Sequence, residues 1–155
     1  MIVTHIWSAR ASDPRSVSTL PDTPTLFPLY ASVSAGFPSP ADDYLEEHLD
    51  IGDYLVDNPT ATFFIRVAGD SMIGAHITPD SLLVVDRSRT PHHGDIIIAA
   101  LNGEFTCKRY WREWNQPPLL VAENPHYPPI EVREGDEFIA WGVVVHILQQ
   151  PVRKV

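Results

Sequence analysis

Asp95-Ile96-Ile97-Ile98-Ala99-Ala100-Leu101-Asn102-Gly103-Glu104-Phe105-Thr106-Cys107-Lys108-Arg109-Tyr110-Trp111 reads as two strands joined by the shortest kind of hairpin. Asn102-Gly103 supplies two consecutive residues that tolerate positive φ, which a two-residue turn between antiparallel strands demands. Working outward, the chain after Pro59 carries further short apolar runs broken by Pro, Gly and Asn. Strands are expected at 62–68, 82–86, 95–101, 104–111, 119–122, 130–133 and 138–148. Proline reaches 15 residues and clusters in Gln116-Pro117-Pro118 and His126-Tyr127-Pro128-Pro129, which read as rigid loops between strands. This spacing predicts a mostly-β domain, a compact β-barrel or sandwich.

The N-terminal part reads differently. Residues 8–25 are rich in Ser, Thr, Pro, Asp and Arg with no lasting apolar period, the composition of a flexible arm. Residues 39–49 read as a short helix, with Ser39 as cap, Pro40 at the first helical position and Asp42 completing the capping-box spacing. Asp50 and Asp53 favour a further turn through Leu55 and Val56, and Asn58-Pro59 stops any helix.

A chain of 155 residues with 44% apolar content holds one core. No stretch approaches the ~20 apolar residues of a membrane span, and the N-terminus lacks the basic start and apolar middle of a secretory signal. One cysteine excludes an internal disulfide framework and agrees with a reducing cytoplasm. Residues 1–35 are neutral, with Arg10 and Arg15 against Asp13 and Asp22, so the remainder carries the whole net charge of −9. Such a surface repels phosphates, so little direct nucleic-acid binding is expected. The histidines and Cys107 show no metal-ligand spacing, and no metal or other cofactor is expected.

Ser71 and Lys108 are the candidate catalytic pair. Ser71 lies in Gly69-Asp70-Ser71-Met72, at the sharp end of Thr62-Phe63-Phe64-Ile65-Arg66-Val67. A serine hydroxyl is a poor nucleophile until a base takes its proton. A lysine serves as that base once burial lowers its pKa from ~10.4. Lys108 has bulky or apolar neighbours, and strand alternation puts Glu104, Thr106 and Lys108 on one face. Glu104 close to the amine would hold it charged, so Glu104 is expected in solvent at the hairpin mouth. Cys107 points to the other face as a small core residue. On residues alone, Lys108 reads more readily as a surface lysine whose stem covers apolar side chains, and Ser71 as a turn or helix-cap serine. Asp80 and Asp95 read as loop-shaping residues. The run Ala140-Trp141-Gly142-Val143-Val144-Val145 is compatible with a sheet edge that needs covering.

Six segments occur in order: Phe27-Pro28-Leu29, Gly36-Phe37-Pro38-Ser39-Pro40-Ala41, Gly69-Asp70-Ser71-Met72-Ile73, His93-Gly94-Asp95-Ile96-Ile97, Gly103-Glu104-Phe105-Thr106-Cys107-Lys108 and Trp141-Gly142-Val143-Val144-Val145-His146. Together they resemble the LexA/UmuD-type self-cleaving serine peptidases (peptidase S24). The resemblance implies a LexA/signal-peptidase-like β domain at 36–155 behind a flexible arm at 1–35. It implies Ser71 as nucleophile, Lys108 as general base, Ala35-Gly36 as the bond cut, and the backbone N–H of Ser71, with that of Asp70, as oxyanion donors. It also implies a homodimer, a RecA filament on single-stranded DNA as activator, and a UmuC-like Y-family lesion-bypass polymerase as partner of the trimmed form in the SOS response to DNA damage. The rival readings are a non-enzymatic dimeric scaffold that regulates a polymerase or RecA, and a truncated relative of the LexA-like repressors. For the latter, residues 1–35 are short and rich in Pro and Ser for a helix-turn-helix.

Overall fold

The computed structural model describes residues 25–30 and 45–151. The chain divides into two compact units, one comprising Arg10–Asp57 and the other containing Asn58–Val155. In the first, β1 (Leu26–Tyr30) pairs antiparallel with β2 (Leu45–Asp50), with Phe27 opposite Leu49. A five-residue helix, α1 (Ile51–Leu55), follows directly. Asp50 caps it: its Oδ1 accepts from Gly52 N at 2.7 Å and Asp53 N at 3.3 Å, satisfying two donors of the first turn.

These elements correct one expectation. The helix expected at 39–49 is strand over residues 45–50, and helix begins only at Ile51, after the Asp50 cap. Residues 39–44 lie outside the described residues. Pairing with β1 overrides the local helical signal. Leu26–Tyr30, which falls within the segment read as arm, is a strand.

The second unit is one antiparallel sheet of seven strands: β3 (Thr62–Arg66), β4 (Leu82–Asp86), β5 (Ile96–Leu101), β6 (Glu104–Trp111), β7 (Leu119–Val121), β8 (Ile130–Glu131) and β9 (Phe138–Leu148). Their order across the sheet is β3-β4-β9-β5-β6-β7-β8. A single-turn 3-10 helix, Ile73–Ala75, lies between β3 and β4. Every expected strand is present, most trimmed by one or two residues at an end. The run at 140–145 is not an edge. It belongs to β9, which sits between β4 and β5 and is covered by hydrogen bonds on both sides. A long apolar run fits such a central strand, whose two faces are both packed.

Alternation along β5 divides the core. Ile98 joins Ile65, Val67, Met72, Ile77, Leu83, Val85 and Cys107 in one cluster, while Ile97 and Ala99 join Tyr110, Leu120, Val132 and Val143 in another. Trp141 packs against the first, edge-on to Phe63 and Phe105, with the Arg87 guanidinium 4.5 Å from its ring centre. The β5–β6 turn takes the form its dipeptide requires, with φ of 51° at Asn102 and 83° at Gly103. The Asn102 side chain locks this turn to the one before β9, donating to Asp136 Oδ1 and accepting from Glu137 N.

At Gly142, β9 passes close to β4. A Cβ there would stand 2.7 Å from Val85 Cγ1 and 3.1 Å from the Asp86 carbonyl oxygen. Val85 is fully buried and the oxygen belongs to backbone, so neither yields easily. Gly142→Ala is expected to cost about 1–3 kcal/mol through overpacking, read as a lowered urea midpoint at unchanged slope. A wild-type midpoint would contradict this packing.

Candidate active site

β3 and β6 deliver the two halves of the site. Beyond β3 the chain is held to the start of β4 by Val67 N donating to Ser81 O (2.9 Å) and Asp80 N donating to Val67 O (3.0 Å). It then reverses at Gly69, whose φ of 99° suits glycine. The reversal carries Asp70 outward and turns Ser71 and Met72 inward, where both are buried. Met72 enters the first core cluster. Lys108 comes from β6, opposite Ile97 of β5 and on the same face as Thr106 and Tyr110.

The two candidates meet. Lys108 Nζ lies 3.1 Å from Ser71 Oγ, although 37 positions separate them in sequence. Lys108 is 4% exposed and Ser71 2%. Two further oxygens complete the surroundings of the amine: Thr106 Oγ1 and the Cys107 carbonyl, each at 3.0 Å. A charged ammonium donates to all three. A neutral amine has two hydrogens and one lone pair. The Cys107 carbonyl can only accept, and Thr106 Oγ1 accepts the second hydrogen. The lone pair then faces Ser71 Oγ, whose O–H donates to it.

Electrostatics shift Lys108 toward the neutral form. Burial pushes the Lys108 pKa below its ordinary 10.5, against a smaller opposing influence from the Cys107 thiol. Among the described residues no carboxylate forms an ion pair with Lys108. Glu104 is exposed at the start of β6, as expected. Cys107 is buried in the core cluster, and burial raises its pKa to about 12, so it is no competing nucleophile.

The residues behind the serine turn were not legible beforehand. Asn124, 3% exposed, donates from Nδ2 to the Asp70 carbonyl oxygen at 3.0 Å. Tyr127 Oη donates to Asp70 Oδ1 at 2.6 Å. Gly74 N donates to Glu123 O at 2.7 Å, an approach close enough that a Cβ on Gly74 would collide with that oxygen. The Glu123 carboxylate accepts from Arg109 Nε, on the strand that carries Lys108. The Asn124-Pro125 and Tyr127-Pro128-Pro129 sequences signal only loop, and contacts spanning more than fifty residues leave no local pattern. Thr106 was visible as a neighbour on the Lys108 face, though not as a partner of its amine. Asp95 shapes its loop as expected, accepting from His92 N, and His92 and His93 are exposed. Ala35 and Gly36 lie outside the described residues. Among the described residues no three His, Cys, Asp or Glu side chains gather as metal ligands, and no helix is long and apolar enough to cross a membrane.

Residues 28–145 match the family model described as Peptidase S24-like. The chain belongs to the peptidase S24 family, the LexA/UmuD-type self-cleaving serine peptidases. It is 41% identical over 124 residues to Protein ImpA of Salmonella typhimurium, covering 79% of this chain and 83% of that protein. It is 46% identical over 112 residues to Protein SamA of Salmonella typhimurium, covering 72% of this chain and 79% of that protein. Against LexA repressor 1 of Geobacter sulfurreducens the identity is 40% over 119 residues, covering 77% of this chain and 58% of the repressor. In this S24 chain the only cysteine adjoins the candidate base, which makes its state directly readable. The folded protein is expected to react with a thiol-specific disulfide reagent at pH 8 orders of magnitude more slowly than the protein unfolded in guanidinium. Prompt labelling of the folded protein would place Cys107 outside the core.

Proposed function

We propose that this chain is a UmuD-like protein of the SOS response that cuts its own Ala35-Gly36 bond, with Ser71 as nucleophile and Lys108 as general base. The observation that carries the reading is the 3.1 Å contact between a buried serine hydroxyl and a buried lysine amine. In the attack, Ser71 Oγ bonds to the Ala35 carbonyl carbon, its proton passes to Lys108 Nζ, and the carbonyl electron pair moves onto oxygen. The Ser71 N–H, with that of Asp70, stabilises that oxyanion. Lys108 then returns the proton to the Gly36 amine as the bond breaks, and water releases the acyl group by the same route in reverse.

Because the target bond is in the same chain, its effective concentration is set by the tether, on the order of mM. The rate then scales with the fraction of molecules in which residues 35–36 occupy the site. A RecA filament on single-stranded DNA accelerates cleavage by binding that state better than the alternatives. Trimming removes residues 1–35 and leaves 36–155, which as a homodimer in the cytoplasm serves a UmuC-like Y-family polymerase in translesion synthesis. The higher identity to SamA, 46% against 40% for LexA repressor 1, favours this reading over a repressor.

Intact-mass spectrometry over time tests it. Full-length chain is expected to yield a species of mass 36–155. Since the base acts when neutral and burial lowers its pKa, the rate climbs with pH through that depressed value and then levels off. RecA with single-stranded DNA and a nucleotide accelerates it, and Ser71→Ala abolishes it. A folded chain that stays intact under every condition would favour the scaffold reading.

A further inference from the structure

The loop between β7 and β8 contributes nothing to the Ser71–Lys108 contact, yet it grips the residue before the nucleophile. We infer that Asn124 is a positioning residue that sets the direction of the Ser71 N–H, and so the strength of the oxyanion site. This rests on the reading that Ser71 attacks a carbonyl and that its N–H stabilises the resulting oxyanion.

The geometry runs through one peptide group. The Asp70 carbonyl and the Ser71 N–H belong to the same peptide unit, and the described chain contains no cis bond. In a planar trans peptide the C=O and N–H point in opposite directions. Whatever fixes the Asp70 oxygen therefore fixes the Ser71 N–H. Asn124 Nδ2 donates to that oxygen at 3.0 Å, and Ile73 N donates to it more weakly at 3.3 Å. Asn124 cannot swing away, because its Oδ1 accepts from His126 N at 3.1 Å and the residue is 3% exposed. Its amide orientation is settled by the same bonds, since only the nitrogen can donate to a carbonyl. Tyr127, from the same loop, holds the Asp70 carboxylate at 2.6 Å.

The loop is itself anchored to the strand of the base. Glu123 takes Gly74 N on its carbonyl and Arg109 Nε on its carboxylate, and Arg109 Nη1 also donates to Gly94 O at 2.6 Å. Arg109 follows Lys108 directly. The donor that meets the developing charge and the base that takes the proton are thus referred to the same strand.

The test is the first-order self-cleavage rate of the full chain as a function of pH, beside thermal unfolding, for wild type, Asn124→Ala, Asn124→Asp and Tyr127→Phe. Asn124→Ala is expected to lower the high-pH plateau by up to about 10²-fold, the low end for losing an oxyanion donor. The pH midpoint stays at the wild-type value, because the Lys108 pocket is untouched. Asn124→Asp keeps the shape and the His126 bond but sets a carboxylate oxygen against the Asp70 carbonyl, so it does not restore the rate. Tyr127→Phe, at a partly exposed position that leaves the fold intact, gives a smaller loss at the same midpoint. Cleavage by Asn124→Asp at the wild-type rate, or a rate loss in Asn124→Ala explained by a raised midpoint, would reduce Asn124 to a packing role and overturn the inference. Failure of wild type to cleave, or cleavage by Ser71→Ala, would instead overturn the dyad reading beneath it.

Discussion

An amine held out of water beside a hydroxyl is the constraint on which the rest of this structure depends. Charge on Lys108 is disfavoured because burial removes the solvation an ammonium needs, and its neighbours are oxygens of a backbone carbonyl and two hydroxyls rather than a carboxylate. That combination is poor for stability and useful for chemistry. The three partners limit the cost of burial, since each remaining hydrogen has somewhere to go. An ion pair would have been cheaper to bury and would have held the amine charged.

The sheet supplies the rigidity this arrangement needs. β6 carries Lys108 from within the sheet, paired on one side with β5 and on the other with β7. The serine turn is less regular and is braced from outside, by Asn124, Tyr127 and the Gly74–Glu123 contact. The two are tied together because Arg109, next to Lys108, holds Glu123. A serine on a sharp turn and a lysine on a strand are therefore kept in register by a loop that touches neither the Ser71 hydroxyl nor the Lys108 amine in the contact between them.

Much of this was legible in the sequence, and what was not has a physical reason. The β5–β6 hairpin is readable because Asn102-Gly103 has few alternatives to positive φ, and strand alternation alone separates Lys108 from Cys107. The same alternation placed Glu104 on the Lys108 face and required it to lie in solvent, where it is. The Asp50 cap was readable, whereas the strand before it was not. Residues 45–50 carry helical signals, and only pairing with Leu26–Tyr30 makes them extended. The central place of β9 was hidden too, because an apolar run looks the same at an edge and in the middle of a sheet. Asn124 escaped notice for a third reason: its partner is 54 residues away, and its own neighbourhood says only that the chain turns.

The most direct measurement is the pKa of Lys108 itself. The chain has two lysines, Lys108 and Lys154. Lysine-labelled full-length Ser71→Ala with Lys154→Arg therefore gives a single side-chain signal to follow by NMR as pH is varied, without cleavage. A midpoint clearly below 10.5 is expected from burial of the amine. A midpoint at or above 10.5 would mean a solvated or ion-paired ammonium, and Lys108 could not then be the base.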